Sequence, residues 1–176
     1  MLNQHEKKDI IEVSDSLLTF NDVYNKPYIP KEHEQSIKDA SVLFLPSENH
    51  RNLGLNLFPE NTRDLYSYFI REAEREGIKV EICASDDDFK TLELHSELIY
   101  IAKMICTYVV LPIVCSLISA YLYDKIKKTN RTDLDATIEL LVEKDEKTKR
   151  IYYNGNAAGF KEAIECIKDT LFADDE

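Results

Sequence analysis

A chain of 176 residues is long enough for one domain with a real core and too short for two of ordinary size. Its apolar share of 44% is that of a globular protein, with ten Tyr, seven Phe and no Trp. A formal charge of -11 repels phosphate backbones and anionic headgroups, so nucleic acid is not expected as a direct partner.

The basic stretches "DKIKKTNR" and "KTKR" read as solvated loops. Cys83, Cys106, Cys115 and Cys166 show neither CxxC nor Cys/His ligand spacing. The opening "MLNQHEKKDIIEVSD" holds no apolar run of the signal-peptide kind. Free thiols in a reducing, cytoplasmic setting are the expectation.

Residues 1–38 read as a polar N-terminal arm, 39–172 as a single α/β domain and 173–176 as an acidic tail. In the arm, "DIIEV" and "SLLTF" precede "YNKPYIPKEHEQ", where Pro27 and Pro30 forbid a continuous helix or a central strand. An extended segment with at most a short helix is expected there.

The first clear strand is "SVLFLP". Its continuous apolar run from Val42 to Leu45 suits burial on both faces beside a parallel neighbour. A helix follows in "NTRDLYSYFIREAEREG": Asn61 is placed to cap it, Leu65, Phe69 and Ala73 repeat at i+4, and Gly77 closes it. "IKVEIC" then alternates as a half-buried strand, completing a βαβ unit. A long helix is expected from near Ser96 to near Lys128, kinked at Pro112. "DATIELLVE" and "RIYYN" form a hairpin across "KDEKTK". A last helix then starts at Gly155 and Asn156, with a stripe of Phe160, Ile164, Ile167 and Leu171. The order β-α-β-α-β-β-α gives the α/β (α+β) class: a four-stranded mixed sheet covered by helices, one of them long, apolar and Pro-kinked.

That long helix poses the main question. Met104 to Tyr123 is twenty positions without a charge, roughly 30 Å as a helix and enough to span a bilayer. Spanning would part the first two strands from the last two, and Thr107, Pro112, Ser116, Ser119 and three tyrosines make a mediocre insertion sequence. Burial in protein is the expectation, and membrane association the alternative. A helix on a sheet needs only one apolar stripe, yet here no face is charged, so something must cover the outer side. Two coverings are open: the N-terminal arm, or a second copy or a different protein. Leu111, Val114, Leu117, Ile118 and Tyr121 are the candidate partner-binding residues. The "LGLNLF" loop (Leu53, Leu55, Leu57, Phe58) could join them, although folding back as core is the nearer reading.

Chemistry, if present, belongs beyond the carboxyl ends of the parallel strands. Glu48 and His50 follow the first strand, and Asp86, Asp87 and Asp88 follow the second. Facing one another, Glu48 with Asp86 and Asp88 would hold Mg2+, with His50 carrying a proton. The competing reading is a solvated acidic loop and a surface histidine. Ser47 lacks a G-x-S-x-G elbow, and Cys83 with His95 reads as structural. "YYNGNAAGF" offers an anion a place before a helix, but its glycines more readily serve a turn and close packing.

The succession "KVEICASDDD", "MICTYVVLPIVCSLISAYLYDKI", "ATIELLVEKDEKTKRIYYNG" and "NAAGFKEAIECIKDTL" resembles small effector-associated α/β domains of bacterial conflict and phage-defence operons, over residues 78–172. The resemblance implies an accessory role, docking to or regulating a separately encoded effector, with no catalytic residues to carry over. The functional expectation is therefore a soluble, non-enzymatic interaction module acting as a homo-oligomer or with an effector, without a cofactor. A Mg2+-dependent phosphohydrolase or nuclease-like enzyme is the alternative, and a membrane-associated effector the next.

Overall fold

The computed structural model describes residues 9–50, 54–92 and 98–173, and of Asn49 and His50 the backbone alone. The His50 side chain, Leu53, His95 and residues 174–176 thus lie outside the described residues.

The polar lead-in carries a strand and two helices. β1 (Ile10–Ser16) pairs antiparallel with a strand near the far end of the chain. Thr19 opens α1 (Phe20–Tyr24) with a capping box: its hydroxyl accepts from the Asp22 amide, and the Asp22 carboxylate accepts from the Thr19 amide at 2.9 Å. Pro27 and Pro30 interrupt the chain before α2 (Glu34–Asp39). Phe20, Val23 and Ile37 of these helices are buried.

β2 (Val42–Leu45) is buried along its length. β3 (Ser47–His50) and β4 (Leu55–Pro59) pair antiparallel before α3 (Thr62–Arg75), which buries the expected stripe of Leu65, Phe69 and Ala73. Gly77 at φ 71 turns the chain in the left-handed region into β5 (Val80–Ile82), which lies parallel to β2. Asn61 does occupy the N-cap position, but its side chain makes no capping bond and its Oδ1 is buried without a partner.

The long helix needs correction. After β6 (Thr91–Leu92), the expected helical start is instead β7 (Leu98–Tyr100) and β8 (Lys103–Thr107), and α4 runs only over Leu111–Thr129. Pro112 stands in its first turn, where the missing amide has no helical acceptor to lose, so the reason for a mid-helix kink disappears. β8 was hidden because it lies between two other strands. Met104, Ile105 and Cys106 are all fully buried, and a run buried on both faces reads the same as a buried helix.

β9 (Asp135–Lys144) and β10 (Lys147–Asn156) form the hairpin on a two-residue turn, Asp145 and Glu146 at φ 52 and 65. Gly155 and Asn156 end β10, and Asn156 also caps the 3-10 turn (Ala157–Gly159) that runs into the last helix, its side-chain oxygen accepting from the Ala158 amide at 2.9 Å. α5 (Phe160–Glu165) follows, and a 3-10 turn carries the stripe onward to Leu171. Phe160, Ile164 and Leu171 are buried, with Ile167 packed partly against them.

Among the described residues the sheet is larger than the expected four strands. Its order is β1-β10-β9-β8-β2-β5, with β7 also on β9, seven strands in mixed directions; β3, β4 and β6 make a second, smaller sheet. The excess comes from β1, β7 and β8, the elements read otherwise from sequence. Alternation along the strands sorts the core into two sides. Val42, Phe44, Met104, Cys106 and Leu140 pack with α3, α4 and α5, while Leu43, Leu45, Ile105 and Leu141 pack with α1 and α2.

The two glycines of "YYNGNAAGF" make room for an anion of the chain itself. Asp9 Oδ1 accepts from the Asn156 amide at 2.8 Å, and the Tyr153 hydroxyl donates to Oδ2 at 3.3 Å. A Cβ at Gly155 would lie 2.5 Å from Oδ1, and one at Gly159 would lie 2.7 Å from Oδ2.

Candidate functional site

α4 has two unlike faces. Leu111, Val114, Ile118 and Leu122 are buried against the sheet. Tyr121 is buried too, its hydroxyl donating to Asp64 Oδ2 at 3.3 Å, and Lys125 reaches the same oxygen at 3.1 Å. The Lys125 bond holds the Asp64 carboxyl below its usual range. Of the five candidate partner-binding residues, Leu111, Val114, Ile118 and Tyr121 are therefore spent on the chain's own core, and Leu117 is half-buried beside it.

The exposed face belongs to smaller residues. Val109, in the 3-10 turn before α4, is 86% exposed and Tyr123 is 67% exposed; Pro112, Ser116 and Ala120 are exposed between them. Ser119 spends its hydroxyl on the Cys115 carbonyl at 2.8 Å, inside the helix. The signal for this face was in the sequence: Val109, Pro112, Ser116, Ala120 and Tyr123 walk at i+3 and i+4 along one stripe. Reasoning from bulk alone selects the inward stripe, because the sheet has first claim on the large side chains.

The described residues of the N-terminal arm do not cover this face. Its helices pack on the opposite side of the sheet, with Leu43, Leu45, Ile105 and Leu141. Beside the stripe runs a groove of about 480 Å3 between α4 and α5, whose far bank carries Lys161, Glu165 and Lys168. Glu165 pairs with Lys168 at 3.0 Å, and that bond raises the lysine's pKa.

By length and composition the helix from Tyr108 to Thr129 is apolar enough to cross a membrane, with 39% of its most apolar window buried inside the protein. Surrounding it with lipid would strip Leu111, Val114, Ile118 and Leu122 from the sheet they cover.

Among the described residues, those expected to carry chemistry do not converge. Glu48 pairs with Lys26 at 3.1 Å and lines a cavity of about 400 Å3. Asp88 accepts from the Ser85 hydroxyl at 2.9 Å and lines a different cavity of about 250 Å3. Asp86 is exposed, as is Asp87. Among the described residues no group of three or more His, Cys, Asp or Glu is placed to hold a metal ion. In the apolar loop, Leu57 and Phe58 are core and Leu55 is partly exposed.

Cys83, Cys106 and Cys115 are buried and Cys166 is exposed. Burial pushes the Cys83 and Cys115 thiols up to about 12, and Cys106 higher still. Three of the four are thus held as inert thiols. No protein-family model, curated protein or solved structure matches the chain.

Proposed function

We propose that this chain is a non-enzymatic protein-interaction module, docking through the uncharged outer stripe of α4, and that the first occupant of that stripe is a second copy of the chain. One observation carries the reading: the stripe is symmetric about Ser116. Val109 and Tyr123 stand seven positions either side of it, and Pro112 and Ala120 four either side.

Two such helices crossing antiparallel on a two-fold axis at Ser116 set Val109 of one against Tyr123 of the other, and Pro112 against Ala120. A two-fold interface requires that self-complementarity. The centre is small, so the helix backbones can approach closely, and the two bulky exposed residues fall at the ends, where they fill the flanks. No charge is desolvated along the stripe. The resemblance to effector-associated domains adds a client: a separately encoded effector would dock on the dimer or displace one copy from it.

Light scattering on the purified chain decides. A dimer is expected, and Ala120→Glu, which sets a carboxylate beside the axis on an already exposed site, is expected to give a folded monomer. A wild-type chain that stays monomeric across the accessible concentration range contradicts the proposal.

A further inference from the structure

α1 and α2 cover only part of their side of the sheet. Next to them no other described element covers the strands, and the cavity that Glu48 lines has its floor there. A β-bulge builds that floor. Tyr100 pairs with Thr137 but Met104 pairs with Leu140, so four steps along β7 and β8 face three along β9. Residues 100 and 103 would point to opposite faces of a regular strand. The extra residue puts Tyr100 and Lys103 on the same face, and both line the cavity with Thr137 and Glu139.

The charges of the lining balance. Lys103 and Glu139 stand on the floor 3.5 Å apart, while Lys26 and Glu48 stand on the wall 3.1 Å apart. Arg150 reinforces the floor, giving Glu139 Oε1 a bond of 2.8 Å and laying its guanidinium 4.9 Å from the ring centre of Tyr152. Lys103 and, from outside the cavity's lining, Arg150 both meet Glu139 at Oε1, so among the described residues Oε2 is left to a ligand. These pairs are partly exposed and contribute little net stability, so exchanging them for a ligand's charges costs little. Leu18, Leu45, Pro46 and Pro59 supply an apolar flank, and Tyr28 and Tyr100 supply ring faces. Burial raises the Tyr28 pKa, with smaller contributions from Cys83 and then from the Glu48 carboxylate, so its phenol stays a donor.

The geometry points to a binding site for a small zwitterion, a free α-amino acid with an apolar or aromatic side chain. Its carboxylate would take Lys103, its ammonium would take Glu139, and its side chain would lie against the apolar flank. A lining with two cations and two carboxylates gives no advantage to a polyanion such as a nucleotide, because the carboxylates repel it. A dipolar molecule satisfies both signs at once. About 400 Å3 falls within the range of small-molecule sites.

Calorimetric titration tests it with L-leucine, L-phenylalanine and L-tyrosine as probes. Two analogues of phenylalanine each lack one charge, 3-phenylpropanoate and 2-phenylethylamine, and adenosine monophosphate serves as the anion. At least one amino acid is expected to bind, with both charge-deleted analogues of phenylalanine at least about tenfold weaker than phenylalanine. Lys103→Met and Glu139→Gln are each expected to weaken the amino acid at least about tenfold, while Asp87→Asn, at an exposed position outside the cavity's lining, leaves it unchanged. Should either floor variant fail to fold, the ligand series in the wild type decides. No heat from any of the three amino acids, equal binding of an analogue, or binding of the nucleotide alone overturns the assignment.

Discussion

The two sides of the sheet are built on different terms. On one, α3, α4 and α5 close a continuous apolar core with the largest buried side chains, among them Phe69, Phe160 and Tyr153. On the other, α1 and α2 cap a smaller cluster around Leu43 and Ile105, and the neighbouring strands expose tyrosines and paired charges. The closed side draws its stability from packing, where every methylene counts. The half-open side carries polar groups whose pairs contribute little, which leaves them free to meet something else. α4 repeats the contrast within one helix: bulk inward, small uncharged residues outward.

Substitution should break the two sides unequally. Ile118→Ala removes a fully buried side chain from the closed side and is expected to cost about 2–5 kcal/mol in chemical denaturation. Val109→Ala, on the outward stripe, should stay within about 0.5 kcal/mol for the isolated monomer. Comparable losses from both would erase the distinction between the faces of α4.

Alkaline pH sharpens the comparison next. Unfolded thiols ionise near 9.0, while burial holds the folded Cys83 and Cys115 thiols up to about 12. A raised acid keeps its full contribution below the unfolded value and loses it as pH climbs toward the folded one. The thiols' contribution should therefore be level below about pH 8.5 and fall above it, each buried thiol removing at most about 1.4 kcal/mol per pH unit. Labelling the native chain with a thiol reagent at neutral pH should modify Cys166 alone, and all four after denaturation. Rapid native labelling of a second cysteine would show that the packed side opens.

A smaller effect is expected where β1 is latched. Gly159 has an ordinary φ of -84, so Gly159→Ala meets no backbone strain. Its Cβ would instead press on Asp9 Oδ2 and on the Tyr153 hydroxyl, 2.9 Å away. A loss of about 1–3 kcal/mol is expected, largely recovered when Asp9→Gly is added, and a double-mutant cycle reads the coupling. The smallest effect belongs to the open side. Glu139→Gln should change stability by about 1 kcal/mol or less, since its pairs with Lys103 and Arg150 are partly exposed.

Much of the closed side was legible in the sequence. The i+4 stripe of α3, the alternation of "IKVEIC" and the stripe from Phe160 to Leu171 each follow from the period of one element against one neighbour. What escaped depended on partners distant in sequence. β1 has an ordinary polar composition and becomes a strand because β10 offers it an edge. β8 lost its alternation by being sandwiched between β2 and β9, and so merged with α4 into one apparent helix. The cavity over the sheet was invisible for a third reason: the bulge that brings Tyr100 and Lys103 together leaves no mark that spacing alone reveals. The outward stripe of α4 was readable in principle, since a helix against a sheet must put its smallest residues somewhere.

The stripe can be read at its centre. With Cys166→Ser removing the exposed native thiol, Ser116→Cys puts a reporter on the two-fold axis, and its reaction with a thiol reagent can be followed across protein concentrations. Docking of a second copy predicts labelling at least about tenfold slower at high concentration than at high dilution, with Asp87→Cys as an indifferent control. A rate at residue 116 as fast as the control and independent of concentration would contradict the account.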